Sequence, residues 1–497
     1  MKYKRKAIIY FAVAVIYLLT ALHSSGFHHR DEHFQVIECA GLKGGWNTGA
    51  DLPWEYDCQI RPILQPMIAL TIIKTCGFFG LDDPYLQATA LRLLTAILSV
   101  FCIALFIRAF LPDIQKKYQD AFIVLSFLLW FLPAVNVRFS SEVWAGAFFL
   151  LSTALLYSSK SHSTIAYFGI GILCGLSFEF RFQIAIAIVG LMLWLLFVKK
   201  MKICHLTYIL LGCFFVIVCC TALDSWYYGN WVFAPWNYFQ TNMITDGGVA
   251  SSFGVSPWYY YLEQIINRPV PFIGVVIAAA IISLLITDYK HVIVWILVPF
   301  ILFHSLIPHK ELRFLFPIVN FIPLLLILAC QHISKRWYVL YPILTIILII
   351  NTGGLLMMSF KPASNGNIAM AEYIHKQTRN TNTVYLYAAY GNPYIAGTAK
   401  GLYARFYNNP KVKIIDFSYP TDEELSSLQN MTYWIVLPEF AVSEQNAIKS
   451  KGFAIEKRSM PALTGLLNRF YKVYPQEQTL LLYKNVKNFH SVALSTR

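Results

Sequence analysis

Two charged segments stand out by the chemistry they could do. His28-His29-Arg30-Asp31-Glu32-His33-Phe34-Gln35 sets adjacent carboxylates among histidines and an arginine. A general base must be ionised and nearby cations favour the ionised form, so Asp31 or Glu32 suits proton abstraction. A solvated polar loop with a helix-starting Asp is the plain alternative. A metal reading of His28, His29, Asp31 and His33 needs a ligand geometry that this pattern does not define. The second segment, His309-Lys310-Glu311-Leu312-Arg313-Phe314, lies between apolar runs at roughly 291–307 and 314–331, each long enough to span or nearly span a bilayer. Charge at a membrane boundary is costly unless it meets water, a partner or a ligand, which makes this segment a functional-site candidate. An ordinary charged loop between helices is the alternative.

Smaller motifs accompany them. The first polar stretch continues through Trp46-Asn47-Thr48-Gly49, Pro53-Trp54-Glu55-Tyr56-Asp57 and Ile60-Arg61-Pro62. Phe139-Ser140-Ser141-Glu142 and Phe178-Glu179-Phe180-Arg181-Phe182 each put charge at a helix end, where snorkelling to the interface is a sufficient explanation for either alone. Asp224 to Pro271 is rich in Trp and Tyr, with Trp226-Tyr227-Tyr228-Gly229 and Pro257-Trp258-Tyr259-Tyr260-Tyr261. An interfacial aromatic belt and a platform for a sugar or lipid tail both fit it.

The elements that must position these groups are membrane helices. The chain is 57% hydrophobic and 13% charged, against about 25% charged in soluble domains, so it reads as a polytopic α-helical membrane protein. Met1-Lys2-Tyr3-Lys4-Arg5-Lys6 precedes an apolar run to about Leu22, which reads as an uncleaved first helix. Further runs lie near 86–110, 121–135, 141–157, 164–178, 183–198, 203–224, 272–287, 292–307, 314–331 and 338–358, about eleven spans in all. The run 164–178 is short enough to be re-entrant. With the N-terminus cytoplasmic, Lys116-Lys117, Lys160, Lys199-Lys200-Lys202, Lys290 and Lys335-Arg336 fall inside, as the rule for basic loops requires. The outer face then receives 24–85, 136–140, 179–182, 225–271, 308–313 and everything after about 359. The net charge of +14 is accounted for by such loops; no basic stripe with interleaved aromatics points to nucleic acid.

After Lys361 the composition changes, and 361–497 reads as a soluble α/β domain of about 135 residues on the non-cytoplasmic side. Strands are predicted at Thr383 to Ala389, Val412 to Phe417, Tyr433 to Leu437 and Thr479 to Tyr483, and a helix starts at the Thr421-Asp422-Glu423-Glu424 capping box. The ten cysteines show no metal spacing, and most lie in apolar runs. Cys39 and Cys58 share one polar loop and could pair in an oxidising compartment.

His29-Arg30-Asp31-Glu32-x-Phe34-Gln35, Pro53-Trp54-Glu55-Tyr56 and His309-Lys310-Glu311-x-Arg313-Phe314 occur in this order, with Asp224-x-x-Tyr227-Tyr228-Gly229 and Ser256-Pro257-Trp258-Tyr259-Tyr260 between. Over roughly residues 1–360 this resembles the lipid-phosphate-mannose-dependent α-mannosyltransferases of glycosyltransferase family 22, above all the GPI-anchor branch that adds a third, α1,2-linked mannose. Pro53 stands where that family's second motif has Thr. The resemblance implies a GT-C fold for 1–360, with outer loops 24–85 and 225–271. It also implies a polyprenyl- or dolichyl-phosphate-mannose donor and a lipid-linked glycan or GPI-like acceptor, with no cofactor and no metal.

By position Asp31 matches the family's catalytic acid, with Glu32 beside it. The acceptor hydroxyl loses a proton as it attacks the anomeric carbon, so a carboxylate serves as base. The leaving group is already a phosphate and needs positive groups, for which Lys310, Arg313, His309 and Arg181 are candidates. Trp54, Glu55, Trp258 and Glu179 are candidates for the acceptor or sugar. Direct displacement inverts a β-linked donor to an α product. The sequence has no evident ER-retrieval signal and one Asn-x-Thr, Asn430-Met431-Thr432. Two settings follow: a bacterial homologue in the plasma membrane, or the endoplasmic reticulum membrane, with the active site periplasmic or lumenal. A lipid or sugar transporter is the second function class. It would show repeats or interrupted helices with midplane polar residues, whereas the charges gather on one face.

Overall fold

A computed structural model of the chain describes residues 2–158, 163–244, 253–333, 341–379, 383–388, 391–396, 401–416 and 433–485. The expected helix at Thr421, the Asn430-Met431-Thr432 sequon, and Lys160, Lys335 and Arg336 lie outside these residues. Two compact units form. The first is Met1–Leu18, Trp54–Ala69 and Leu91–Leu356; the second is Leu19–Pro53, Leu70–Ala90 and Met357–Arg497.

Helices make up the first unit, and Lys6–His23, Leu64–Phe78 and Pro84–Asp113 have residues in both units. Among the described residues, four helical stretches are long and apolar enough to cross a membrane: Lys6–His23, Pro84–Asp113, Ile203–Tyr228 and Leu312–His332. Leu64–Phe78, Thr164–Phe180, Phe182–Phe197, Pro271–Thr287 and Val292–Leu306 are shorter apolar helices. Leu64–Phe78 lies inside what the sequence reads as one polar outer loop. Thr164–Phe180 packs along Ile203–Tyr228 through glycines: a Cβ added at Gly171 or Gly212 would overlap the facing backbone at Ile209 or Phe168. That close contact sets Glu179 and Asp224 near the same end of one helix pair.

Two apolar runs are not the continuous helices expected. The run 121–135 breaks into Gln119–Leu128 and Leu132–Asn136, with Leu129 extended and Pro133 in the first turn of the second helix. Asn351 satisfies the freed backbone: its Oδ1 accepts from Trp130 N at 2.8 Å and its Nδ2 donates to Leu128 O at 2.9 Å. The run 314–331 begins as a 3₁₀ stretch, Leu312–Phe321, before the α-helix Ile322–Ile333. Ten residues is long for 3₁₀ geometry, which rarely exceeds about four. Pro317 lies within it, and Asn320 and Asn136 exchange two bonds of 2.9 Å that hold the stretch against the neighbouring helix end.

The second unit holds a mixed sheet. In chain order the strands are β1 Val384–Ala388, β2 Ile395–Ala396, β3 Leu402–Tyr403, β4 Val412–Asp416, β5 Tyr433–Pro438, β6 Phe453–Arg458 and β7 Leu480–Asn485. The main sheet runs β4-β1-β5-β7-β6, parallel across β4-β1-β5 and antiparallel across β5-β7-β6; β2 and β3 form a separate pair. Tyr387, Tyr433, Ile435, Leu437, Ile448, Phe453, Leu481 and Tyr483 make its core. The alternating α/β character read from the sequence is present, and β6 is an addition to it. Its pattern, Phe-Ala-Ile-Glu-Lys-Arg, is half charged and half exposed, as suits an edge strand.

Candidate active site

In the first unit, a chain of contacts joins groups far apart in sequence. Trp54 stacks on Phe253 with ring centroids 6.1 Å apart, and Phe253 lies 5.9 Å from the His309 ring. His309 Nε2 meets Glu311 Oε1 at 3.1 Å, and Glu311 Oε2 accepts from Arg313 Nε. Arg313 Nη1 donates to Glu142 Oε1 at 3.0 Å, and Arg181 Nη2 lies 3.5 Å from the same oxygen. Both guanidinium groups sit over the Phe314 ring, at 5.3 and 5.4 Å. Arg181 is aimed further by its Nε donating to Gln183 Oε1 at 2.6 Å.

Loop 253–261 wraps the His-Lys-Glu segment. Ser256 N donates to Pro308 O at 2.9 Å, Lys310 Nζ to Ser256 O at 2.9 Å, and Tyr261 OH to Glu311 O at 3.3 Å. Lys310 is buried, which holds its ammonium pKa below the ordinary value because desolvation penalises the charged form. Arg181 and Arg313 are matched by the carboxylates Glu142 and Glu311, and Lys310, bonded to Ser256 O, adds a third cation on the His-Lys-Glu segment. Such a surplus in a buried site suits an anion.

Glu142 and Arg181 do not snorkel. They are 3% and 5% exposed and face each other, because each lies at a helix end turned inward. Glu142 is therefore a candidate site residue that its motif alone did not reveal. Glu55 is buried and paired with Arg61 at 3.5 Å. Glu179 is 1% exposed, and neither carboxylate oxygen has a hydrogen-bond partner among the described residues. Asp224 Oδ1 accepts from Ile63 N at 2.8 Å. Trp258 is 71% exposed against Tyr259, on the outside of the loop that wraps Lys310.

Asp31 and Glu32 belong to the second unit, on the short helix Arg30–His33. Their environments differ. Glu32 Oε2 accepts from His28 N at 2.9 Å, so that carboxylate closes the turn before its own helix. Asp31 Oδ1 lies 3.4 Å from His29 Nδ1, and its side chain is 16% exposed. His33 turns away from both into a 2.7 Å contact with Glu38. Among the described residues no three His, Cys, Asp or Glu side chains converge as a metal site. Cys39 and Cys58 form no disulfide, and Cys39 Sγ donates to Phe34 O at 3.4 Å.

Residues 8–392 match the Alg9-like mannosyltransferase family. The GPI alpha-1,2-mannosyltransferase 3 of Danio rerio is 26% identical over 308 residues, covering 59% of this chain and 53% of that protein. Mannosyltransferase APTG1 of Arabidopsis thaliana is 26% identical over 61% of this chain and 54% of its own length. GPI mannosyltransferase 3 of Yarrowia lipolytica is 25% identical over 77% and 73%. The chain thus spans about half the length of the first two relatives. Among solved structures, ArnT from Cupriavidus metallidurans bound to undecaprenyl phosphate superposes with a TM-score of 0.55 at 10% identity, over 97% of this chain and 98% of that one. That likeness shows a shared fold, the polytopic GT-C arrangement.

Proposed function

Because this chain belongs to the Alg9-like mannosyltransferase family, we propose that it is a membrane α-mannosyltransferase. It moves mannose from a polyprenyl- or dolichyl-phosphate-mannose donor to a lipid-linked glycan or GPI-like acceptor. The names of its relatives support the acceptor class and an α1,2 linkage. The undecaprenyl phosphate held by ArnT supports a lipid phosphate as the departing group. The observation that carries the reading is the basic set His309, Lys310, Arg313 and Arg181, in which Glu311 and Glu142 fix His309 and the two arginines while Ser256 O fixes Lys310.

In the proposed reaction Asp31 takes the acceptor hydroxyl proton. The acceptor oxygen forms a bond to the anomeric carbon as the bond from that carbon to the phosphate oxygen breaks, and the lipid monophosphate departs with the electron pair. A β-linked donor gives an α product. The four basic residues stabilise the developing phosphate charge as charge-assisted donors. Glu32 supports the Asp31 turn. Trp54 offers an aromatic face to a sugar, while Glu55, Glu179 and Trp258 are assigned to the acceptor or sugar. We further assign the chain about eleven membrane spans and no cofactor, and assign the active site and the domain 361–497 to the outer face, periplasmic or lumenal. A transporter reading has no support from the family match.

The test is incubation of purified protein with radiolabelled polyprenyl-phosphate-mannose and candidate glycolipids, with and without chelator. We expect an α-mannosylated lipid in both conditions, and its loss in Arg313→Ala. Label crossing a bilayer without a new glycosidic bond would replace the enzyme with a transporter. Activity lost to chelator and restored by a divalent ion would overturn the metal-free mechanism.

A further inference from the structure

Glu38 is fully buried, yet it lies seven residues from Asp31 in the segment that carries the proposed base. It closes a π-helical turn, Phe34–Glu38, between the helices Arg30–His33 and Cys39–Gly44. Such turns insert a residue into the helical path and are common at functional sites. The turn points the Glu38 carboxylate inward, where donors from three segments meet it. Oε1 accepts from His33 Nε2 at 2.7 Å and from Phe406 N at 3.0 Å; Oε2 accepts from Asn47 Nδ2, which also donates to Glu38 O at 2.9 Å.

The C-terminal residues contribute more than one backbone N–H. The Tyr407 ring stacks on His33 at 5.2 Å and 12°, and on Tyr85 at 4.8 Å and 24°. Phe27 stacks against His33 at 5.4 Å and 25°, and Arg405 Nη2 reaches Asp51 Oδ1 at 3.0 Å. All these residues belong to the second unit. Arg405, Phe406 and Tyr407 lie beyond the residues matched to the family, 8–392, so the family resemblance does not account for this support.

A buried carboxylate is tolerated only when its partners are all in place, and a satisfied buried network is rigid. His33 is part of that network and shares the four-residue helix Arg30–His33 with Asp31. Fixing the His33 ring fixes the helix, and the helix fixes the direction of the Asp31 carboxylate. We infer that Glu38 is a positioning residue for Asp31, and that the segment Arg405–Tyr407 of the C-terminal domain serves transfer by holding the Glu38–His33 pair. This rests on the reading of Asp31 as the base.

The test uses the full-length protein in lipid nanodiscs, with mannosyl transfer followed at varied donor and acceptor. Glu38→Gln keeps the shape but replaces one acceptor oxygen by an amide donor, which then faces either His33 Nε2 and Phe406 N or Asn47 Nδ2. We expect kcat to fall by up to about 10²-fold, the cost of an ångström-scale misplacement of a catalytic group, with both KM values unchanged. Hydrogen exchange should quicken across residues 28–35 and stay unaltered in β5 and β7. Tyr407→Leu, on the C-terminal side, should give the same split, and the double variant should lose less than the product of the singles, because both act through His33. If Glu38→Gln does not fold, Tyr407→Leu decides alone. Wild-type kcat per folded molecule in Tyr407→Leu, or a loss carried by KM, would overturn the inference. Asp31→Asn run in parallel separates the two readings. Inactive Asp31→Asn with unaffected Glu38→Gln removes the positioning role and keeps the base, whereas active Asp31→Asn removes the base itself.

Discussion

Asp31 and Glu32 are neighbours of the same chemical type, and their contacts give them different work. Glu32 is committed to the His28 backbone N–H, while Asp31 stands beside the His29 imidazole. Asp31→Asn is therefore expected to lower kcat by about 10²–10⁴-fold, the usual worth of a general base, with the thermal midpoint unchanged. Near-normal turnover in that variant would shift the base to Glu32. Glu142 is the second residue whose role comes from contacts. It faces two guanidinium groups in a buried site, and removing one partner of such a cluster strands the others. Glu142→Ala should lower stability by about 3–5 kcal/mol, measured by thermal unfolding in detergent. A melting point equal to wild type would show that the two arginines do not depend on it.

At the scale of elements, irregular backbone marks where the apolar pattern is interrupted. The break at Leu129 is held by one side chain, Asn351, which both accepts from and donates to the backbone there. Asn351→Leu keeps the volume and removes both bonds. It is expected to cost about 1–3 kcal/mol for the orphaned groups, seen as a lower melting temperature with donor KM unchanged. The π-helical turn Phe34–Glu38 and the 3₁₀ stretch Leu312–Phe321 are the corresponding irregularities beside Asp31 and Arg313. In both, local hydrogen bonding departs from a regular helix because side chains have to be turned to specific partners.

At the scale of the whole chain, the second unit draws together 19–53, 70–90 and the residues from Met357 onward. Asp51 reports on that association. Its carboxyl pKa is held below the ordinary value of 3.8, first by the Thr48 hydroxyl and also by Arg405. A lowered folded-state value means that the Asp51 contribution to stability is fully present above pH 3.8 and is lost as the pH falls through the folded value. The stability difference between wild type and Asp51→Asn should therefore be constant near neutrality and shrink toward zero in acid. A difference that grew on acidification would reverse the assigned sign. The effect belongs to a partly exposed pair and should be small.

The sequence by itself determined the class of the chain and the identity of most candidate groups. Apolar runs of fixed length mark membrane helices because a bilayer allows few other structures, and ordered motifs around Asp31, Trp54 and His309 carry the family. It also determined β1, β4, β5 and β7, whose β-branched and aromatic runs fit a sheet interior. Tertiary structure alone decided which charges meet. Glu142 lies 171 residues from Arg313, and Glu38 lies 368 residues from Phe406. No periodicity links such positions, and a lone Glu at a helix end looks the same whether it faces lipid headgroups or two arginines. The apolar helix Leu64–Phe78 and the edge strand β6 were hidden for a related reason: short runs are ambiguous until their neighbours bury them. What a side chain does here depends on what desolvates it, and desolvation is a property of the folded chain.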